Sequence, residues 1–480
     1  METHVAKEDK LMMGAKIVAN AISKHKNGQA YYVGGAERDR IMGIIPHDID
    51  LATNLSTSDI KAALKAANIP YTIVGEKYGT IVALANVFNE TYEYEVTTFR
   101  QDLSYEDGRH PVTRQASSIE EDLSRRDFTM NAMARDCFTS EIIDPFGGVE
   151  DINNRLLRFV GDPDERIKED GLRIVRAVRF AIKYGFNLSV ATKEAIHRNI
   201  DMLDKVSNER KTEELRKMLT CGKDIAPVFR EFPDVLFKLI PDLKDTYGCS
   251  QVNKYHHTDV FNHILNTTDL LKSDDFVTKL AALFHDTGKV AAKVTDETGY
   301  DRFKGHSEIS FEIAKRASDP SGYLKLTSKE KDKFEFLVLN HDINFFVTEK
   351  SFNKAILKYG EDYLVSLRLL SNADFSDHVI PDCITKEKLE AWHTNDSIVK
   401  GYFDSLKNKP MSLKELNIDG NELINLGYKP GPKMGEILKE MLAYVVDGTL
   451  KNEKGDLERY AKDKLASLEE NKESSYAEER

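Results

Sequence analysis

Two acidic residues one position apart, preceded by a pair of glycines, constrain this chain more than any other feature. Residues 32–53 read YVGGAERDRIMGIIPHDIDLAT, which places the acids at Asp48 and Asp50. Alternate side chains of a β-strand lie on one face, so both carboxylates are expected to point the same way. Paired carboxylates can bind a divalent cation such as Mg²⁺, which leaves positions for phosphate oxygens. A solvated acidic edge is the alternative, and the glycines disfavour it.

The glycine pair, Gly34 and Gly35, lies shortly before the two acids. Residues without side chains let backbone N–H groups approach a triphosphate closely, and Arg38 can neutralise part of its charge. The segment therefore predicts a phosphate-binding loop beside a metal site.

A second acidic stretch, YEYEVTTF at residues 92–99, alternates and is rich in aromatic and β-branched residues. It predicts a strand that can pair beside the one that carries Asp48 and Asp50. Glu93 and Glu95 share one face of this strand, and periodicity leaves open which of them contacts metal.

Composition bounds the remaining possibilities. A length of 480 residues predicts about three domains, and a hydrophobic content of 41% suits ordinary packed cores. The net charge of −12 disfavours a generally basic nucleic-acid surface, so a local basic cleft is expected where arginines cluster in residues 155–179 and 210–217. Four scattered cysteines and the lack of a long apolar run predict a soluble, cytoplasmic protein without disulfides or zinc.

Further motifs follow the acid pair in a fixed order. They are VTTFRQD (96–102), YEDGRHP (105–111), EEDLSRRDFTMNAMARD (120–136), EDGLRIVRAVRFAIKYGF (169–186) and SNERKTEEL (207–215). Together with the glycines and the acids, they resemble the class II tRNA nucleotidyltransferase and bacterial poly(A) polymerase family. The resemblance spans most of residues 25–220.

That resemblance implies a polymerase beta-like head whose catalytic, Mg²⁺-binding carboxylates are Asp48, Asp50 and Glu95. In this chemistry one metal activates an RNA 3′-hydroxyl and the other neutralises the triphosphate, so no covalent protein nucleophile is required. The nucleotide-binding residues that the resemblance implies are Gly34, Gly35, Arg38, Asp39, Arg126, Asp127, Asp170, Arg173 and Arg176.

Asp170 and Arg173 lie three apart on a predicted helix and therefore on one face, with Arg176 one turn further along. The resemblance implies that they read the Watson–Crick edge of a single base, so that a wrong base leaves polar groups unpaired. A plain salt bridge between Asp170 and Arg173 is the alternative.

One position departs from the family pattern. Glu37 stands where the family has an apolar residue between the glycines and Arg38. An unpaired buried carboxylate is costly, so Glu37 is expected to turn away or to find a partner. The retained glycines, Arg38 and Asp39 predict altered tuning and not loss of the site.

A second set of histidines and aspartates follows in HHTDVFNHIL, LAALFHDTGKV, KGHSEIS, VLNHD and LLSNADFSDH. This order resembles the HD phosphohydrolase superfamily, in which imidazoles and carboxylates from separate helices bind a metal that activates water. The resemblance implies that Mn²⁺, Ni²⁺ or Mg²⁺ is bound by His263, His285, Asp286 and Asp374. The resemblance also implies that His306 and His341 bind a second metal or the scissile phosphate. The predicted substrates are terminal phosphates or 2′,3′-cyclic phosphates of RNA.

The predicted fold class is α+β, because strands concentrate before residue 145 and helical periodicity dominates thereafter. A polymerase beta-like nucleotidyltransferase head, with a mixed sheet and helices, precedes an all-helical neck, an HD domain and a helical C-terminal region. The predicted domains are the head (1–145), the neck with nucleotide-selecting and RNA-binding segments (146–240), the HD domain (241–390) and a tRNA-binding tail (391–480).

The function that the resemblance implies is template-independent addition of C, C and A to the 3′ end of tRNA from CTP and ATP. Poly(A) polymerase is the alternative within the family, and residues 107–111 look more like the loop of CCA-adding enzymes. Enzymes that add only CC or only A stay open, as does the oligomeric state. A phosphohydrolase whose head only binds RNA and a non-catalytic RNA chaperone are the alternatives from other classes. Neither DNA nor a membrane is an expected partner.

Overall fold

The computed structural model describes residues 7–75, 80–105, 111–252, 258–342, 348–377, 386–407 and 409–478. The chain divides into two compact units, Met1–Lys244 with Ser318–Lys325, and Asp245–Ala317 with Leu326–Arg480. The predicted domain boundaries after residues 145 and 390 stay predictions. Of the predicted loop 107–111, residues 107–110 lie outside the described residues. None of the described helices combines the length and the apolar character that crossing a membrane requires.

A mixed sheet organises the first unit. Its strands run in the order β3-β4-β5-β2-β1-β8-β9, and β2 is parallel to β5 whereas its other neighbour, β1, is antiparallel to it. The strands of this unit are β1 (Ala30–Val33), β2 (Asp50–Thr53), β3 (Tyr71–Gly75), β4 (Thr80–Val87), β5 (Glu90–Thr98), β6 (Arg100–Tyr105), β7 (Pro111–Gln115), β8 (Ala134–Asp136), β9 (Ile142–Ile143), β10 (Leu156–Leu157) and β11 (Asn187–Leu188). β6 and β7 form a separate hairpin.

Helices pack on the sheet, and the chain after the sheet is mainly helical. They are α1 (Lys7–Ser23), α2 (Gly35–Ile41), α3 (Thr57–Ala66), α4 (Ile119–Ser124), α5 (Gly148–Asn153), α6 (Pro163–Glu169), α7 (Leu172–Tyr184), α8 (Val190–Arg198), α9 (Asn208–Leu219), α10 (Ala226–Glu231) and α11 (Pro233–Leu239). The Asp162 side chain caps α6, which begins with a proline, and Gly185 ends α7 with a φ of 66°. α9 packs along α7. The predicted α+β head followed by helical regions is confirmed.

The second unit is almost entirely helical. Its elements are α12 (Val260–Leu270), α13 (Phe276–Phe284), α14 (Lys289–Ala292), β12 (Val294–Thr295), β13 (Asp301–Arg302), α15 (His306–Ala317), α16 (Ser328–Asn340), α17 (Glu349–Tyr359), α18 (Glu361–Asp377), α19 (Lys386–Leu406), α20 (Gly420–Asn425), α21 (Pro432–Val446) and α22 (Lys454–Glu478). α13 reads FVTKLAALF and is buried almost throughout, because α12, α16 and α18 surround it. Because α13 is central, the chain segment that directly follows it also lies in the interior of the unit.

The packing of α1 against β5 gives a stability prediction for the head. The Tyr94 hydroxyl donates to the Leu11 carbonyl at 2.7 Å, and a Cβ on Gly14 would lie 2.2 Å from that hydroxyl oxygen. Overpacking of a filled core costs about 1–3 kcal/mol, so Gly14→Ala is expected to destabilise the head by that amount in urea unfolding. In a Tyr94→Phe background the same substitution is expected to cost less. Equal costs in both backgrounds would contradict this account of the contact.

Candidate active sites

Three carboxylates meet where β2 lies between β1 and β5. Leu51 pairs with Val96 in parallel register, so Asp50 and Glu95, each one residue earlier, lie at the same level of adjacent strands. Asp48 is exposed in the segment just before β2. Burial, together with the charges of Asp48 and Glu95, raises the pKa of Asp50 to about 6. Clustered carboxylates of this kind fit a divalent cation, which offsets their mutual repulsion.

Strand pairing distinguishes the two glutamates that periodicity leaves equivalent. Glu95 pairs with Val82 and stands beside Asp50, whereas Glu93 pairs with Leu84, two residues further from that level. The structure therefore brings Glu95 into the acidic cluster, whereas Glu93 lies two residues away from that level on the same strand.

A cavity of about 390 Å³ adjoins the acidic cluster. Its lining includes eight of the nine residues that the sequence predicts to bind nucleotide, together with Asp50. The lining residues are Gly34, Gly35, Arg38, Asp50, Arg125, Arg126, Asp127, Asn131, Asp170, Arg173, Arg176 and Phe180. The remaining predicted residue, Asp39, is not among the lining residues, but it accepts a hydrogen bond from Arg38, which is.

The first glycine of the pair is required by geometry. Gly34 has a φ of 71°, a conformation that residues with side chains rarely adopt, and a Cβ there would lie 2.9 Å from Arg126 Nη1. Arg126 Nη2 donates to Asp122 Oδ2 at 3.2 Å. Its Nε is buried and has no hydrogen-bond partner within the described structure. The Arg126 guanidinium therefore lies beside the glycine loop, and its charge partly opposes the rise in the pKa of Asp50.

Arg38 is held rigidly below the loop. Its Nε donates to Asp39 Oδ1 at 2.8 Å and its Nη1 donates to Asn131 Oδ1 at 2.8 Å. The guanidinium also lies 4.8 Å from the centre of the Tyr184 ring, a distance typical of a cation–π contact. Its positive charge is thus fixed in place before any ligand binds.

Asp127 links the head to α7. Arg176 Nε donates to Asp127 Oδ2 at 2.8 Å, and Asn131 Nδ2 donates to Asp127 Oδ1 at 3.0 Å. Burial by itself would raise the pKa of Asp127, but Arg176 and Asn131 hold it at about 2. The carboxylate is therefore an ionised acceptor throughout the physiological pH range.

Asp170 and Arg173 both line the cavity, but each has another partner. Asp170 accepts two hydrogen bonds from Arg210, at 3.1 Å from Nη1 and 2.7 Å from Nη2. Arg173 donates to the Arg166 carbonyl at 3.0 Å and forms an ion pair with Glu169. The salt bridge between Asp170 and Arg173 that the sequence left open is therefore replaced by these pairings in the described structure.

Glu37, the departure from the family pattern, has found a partner. Its side chain is 1% exposed, and its Oε2 accepts a hydrogen bond from Arg135 Nε at 2.7 Å. Arg135 belongs to β8, the strand next to β1 in the sheet. The buried charge is thus compensated outside the cavity, which leaves Arg38 undisturbed.

In the second unit, one cluster forms where α12, α13 and α18 meet. His263 Nε2 lies 3.1 Å from Asp286 Oδ2 and 3.0 Å from Asp374 Oδ1. His285 Nε2 lies 3.3 Å from the same Asp286 oxygen and 3.7 Å from Asp374 Oδ1. We call His263, His285, Asp286 and Asp374 the inner cluster, because both imidazoles are fully buried.

A second cluster uses the other oxygen of the same aspartate. His306 Nε2 lies 3.2 Å and His341 Nε2 lies 3.7 Å from Asp286 Oδ1. Asp342 Oδ2 lies 3.1 Å from His306 Nε2. We call Asp286, His306, His341 and Asp342 the outer cluster, because Asp342 is half exposed.

The donor set of these clusters fits metal ions. The two Nε2 atoms of the inner cluster are 3.4 Å apart, and those of the outer cluster are 3.1 Å apart. Three of the four rings place Nδ1 against a backbone carbonyl, which leaves the Nε2 lone pair facing its neighbour. Donors that converge this closely can share a proton or a metal ion, and imidazole with carboxylate suits transition metals.

The sequence analysis assigned no individual role to four contact residues, although each lies within a quoted motif. Arg210 clamps Asp170, Asn131 joins Arg38 to Asp127, and Asp377 accepts from His263. Lys289, 6% exposed, has its Nζ 2.6 Å from Asp286 Oδ2. Helical spacing offered a signal for two of them, because Asp377 follows Asp374 by three positions and Lys289 follows Asp286 by three.

Comparison with known proteins agrees with this architecture. Residues 30–158 match the Poly A polymerase head domain, residues 255–377 the HD domain and residues 358–461 a tRNA nucleotidyltransferase domain 2. The chain is 31% identical over 439 residues to the CCA-adding enzyme of Lactobacillus helveticus, covering 91% of this chain and 93% of that protein.

Other relatives align over shorter stretches or through the fold. The CCA-adding enzyme of Geobacillus thermodenitrificans is 49% identical over 193 residues, which cover 40% of this chain and 45% of that enzyme. In such alignments the chain spans about half the length of the relatives it matches, from 45% to 56%. The crystal structure of the Bacillus stearothermophilus CCA-adding enzyme in complex with CTP superposes with a TM-score of 0.65 at 27% identity, covering 97% of this chain and 100% of that one.

The mixed-sheet head and the helical HD domain place this chain in the class of the class II tRNA nucleotidyltransferases and bacterial poly(A) polymerases. Within this class, the chain belongs to the CCA-adding enzyme family.

The depressed pKa of Asp127 predicts a pH-dependent contribution to stability. A lowered folded-state pKa contributes stability above the unfolded value of 3.8, and that contribution is lost as pH falls towards 2. Relative to Asp127→Asn, the wild type is expected to lose about 2 kcal/mol of unfolding free energy between pH 6 and pH 2.5, measured by urea titration.

Asp404→Asn is the control, because Asp404 forms an exposed pair with Lys407. Water screens such a pair, so the difference from the wild type is expected to change much less with pH. Parallel pH profiles for wild type and Asp127→Asn would contradict the assignment.

Proposed function

We propose that this protein adds C, C and A to the 3′ end of tRNA from CTP and ATP without a nucleic-acid template. The observation that carries the proposal is the acidic cluster of Asp48, Asp50 and Glu95 beside a cavity lined by arginines. Family membership supports it, because the relatives of nearly full length are CCA-adding enzymes.

The residues divide the work between charge and position. Mg²⁺ bound by the three carboxylates would supply charge for the triphosphate and for the RNA 3′-hydroxyl. Arg126, whose Nη1 lies beside Gly34, offers its guanidinium charge to the phosphates, and Arg38 adds a fixed positive charge below the glycine loop. Because these groups are already ordered, binding requires little rearrangement of the protein.

Base selection falls to the helical side of the cavity. Asp170 can accept and Arg173 can donate hydrogen bonds to one Watson–Crick edge, and both line the cavity. A base with the wrong pattern gains no hydrogen bonds in return for displacing the contacts that Asp170 makes with Arg210 and Arg173 makes with Glu169, so it binds less tightly. In this proposal the protein itself takes the place of a template.

The C-terminal part is proposed to bind the body of the tRNA. A cavity of about 560 Å³ lies between α17 and α21, and four lysines, Lys350, Lys354, Lys358 and Lys439, stand among the residues of its largely apolar lining. Lysines at spacings of four on one helix line up on one face, where they can contact successive phosphates. This basic surface lies on a chain whose net charge is −12.

The test of nucleotidyl transfer uses tRNA that lacks its 3′ tail, with CTP alone, ATP alone or both. We expect two added residues with CTP and three with both nucleotides, resolved at single-nucleotide length. A long ladder with ATP alone would instead indicate poly(A) polymerase, and an enzyme that adds only part of the tail would stop earlier.

A matched pair of variants tests the catalytic cluster. Glu95→Gln is expected to reduce the rate of CTP addition by about 100-fold or more, since it removes one charge from the proposed metal site. Glu93→Gln changes the same strand two residues away and is expected to retain nearly the wild-type rate. Equal losses in both variants would exclude a specific role for Glu95.

We further propose that the second unit is a metal-dependent phosphohydrolase. The converging donors of the inner and outer clusters carry this proposal, because each fits a cation and they share Asp286. A metal bound there would supply an activated water for attack on a phosphate ester. The proposed substrates are terminal phosphates and 2′,3′-cyclic phosphates at RNA 3′ ends.

Separate variants are expected to separate the two activities. His285→Asn should abolish hydrolysis of a 2′,3′-cyclic phosphate assayed with Mn²⁺, Ni²⁺ or Mg²⁺, while CCA addition continues. Asp48→Asn should have the opposite effect. His393→Asn, an exposed histidine on α19, is the control and should affect neither reaction. Wild-type protein inactive with all three metals would refute the hydrolase.

A further inference from the structure

One histidine of the second unit is held differently from the other three. The Nδ1 atoms of His285, His306 and His341 face backbone carbonyls, at 2.7, 2.9 and 2.8 Å. His263 Nδ1 instead faces a carboxylate, Asp377 Oδ2, at 2.7 Å. A carboxylate on the far side of an imidazole raises the basicity of the nitrogen that binds a metal, and a neutral carbonyl does so far less.

Asp377 is itself fixed in position. Its other oxygen, Oδ1, accepts a hydrogen bond from Asn266 Nδ2 at 2.9 Å, and its side chain is 8% exposed. Asp377 follows Asp374 by three positions on α18, so both carboxylates face α12, where His263 and Asn266 lie. An ordered chain of hydrogen bonds, His263–Asp377–Asn266, therefore lies behind the inner cluster.

The charges around the two clusters are unequal. Asp286 is shared, and the inner cluster adds Asp374 and, behind His263, Asp377. Among the described residues, the aspartate that the outer cluster adds is Asp342, which is 49% exposed. Lys289 offsets this difference, because its Nζ lies against the inner oxygen of Asp286. The inner cluster is therefore distinguished by its deeper burial and by the carboxylate of Asp377 behind His263.

We propose that Asp377 is a positioning residue that orients His263 and makes the inner cluster the tighter of two unequal cation sites. The proposal rests on the metal-dependent function proposed for this unit. It predicts that added metal fills the inner cluster first and the outer cluster at higher concentration. Partners of this kind contribute about 10–100-fold to metal affinity.

Cobalt(II) is a suitable probe, because its visible absorption reports nitrogen ligands and the acidic cluster of the head has none. The full chain, stripped of metal with a chelator, is titrated with Co²⁺ while the visible spectrum and calorimetric heat are recorded. We expect two separate steps of nitrogen-ligated binding. Asp377→Asn should weaken the tighter step by about 10–100-fold and leave the weaker step unchanged.

Two further variants make the test specific. Asp342→Asn should weaken only the second step, because the contacts of Asp342 among the described residues are with His306 and His341 of the outer cluster. Asn266→Ala should weaken the first step by less than Asp377→Asn, because Asp377 keeps its contact with His263 but loses its support. Preserved CCA addition in each variant confirms that the chain is folded.

Several results would overturn the proposal. One step of binding, two equal steps, or a tighter step unaffected by Asp377→Asn would each refute it. Two unequal steps that depend on Asp377, in a protein that hydrolyses no phosphate ester, would support it and refute the phosphohydrolase. Hydrolysis of a phosphate ester without two unequal binding steps would support the phosphohydrolase and refute the proposal on Asp377. Absence of nitrogen-ligated cobalt would refute both proposals.

Discussion

The parallel pairing of β2 with β5 is the constraint on which the head depends. It holds Asp50 beside Glu95, although like charges at this distance repel and raise the pKa of Asp50. The opposite faces of these strands bury Leu51 and Val96 in the core, so hydrophobic burial and the hydrogen bonds of the sheet maintain the arrangement. A cation bound between these carboxylates would relieve the repulsion.

The positive side of the site is built with the same rigidity. Arg38 is fixed by Asp39 and Asn131, and Arg176 by Asp127. Each of these contacts holds a guanidinium in one orientation, so a ligand does not have to order that side chain when it binds. A cavity whose charges are already oriented stabilises a triphosphate more than flexible side chains do, because little of the interaction energy is spent on ordering.

The two compact units offer different ligand chemistry. The acidic cluster of the head offers carboxylate oxygen to a cation, which suits hard ions, whereas the second unit offers imidazole nitrogen around Asp286, which suits transition metals. The two clusters therefore differ in the cations that their ligand atoms favour. Burial differs as well, since Asp48 is exposed while His263 and His285 are fully enclosed.

The sequence by itself determined the elements and most of the residues that line the site, because alternation, helical spacing and ordered motifs are local properties of the chain. It identified the α+β head and the acids of DID, but it left Glu93 and Glu95 equivalent. Only the tertiary structure distinguishes these two glutamates. It also pairs Asp170 with Arg210 and places Asp377 against Nδ1 of His263. These contacts join residues 40 or more positions apart in the chain, and no periodic pattern encodes which strand or helix becomes a neighbour.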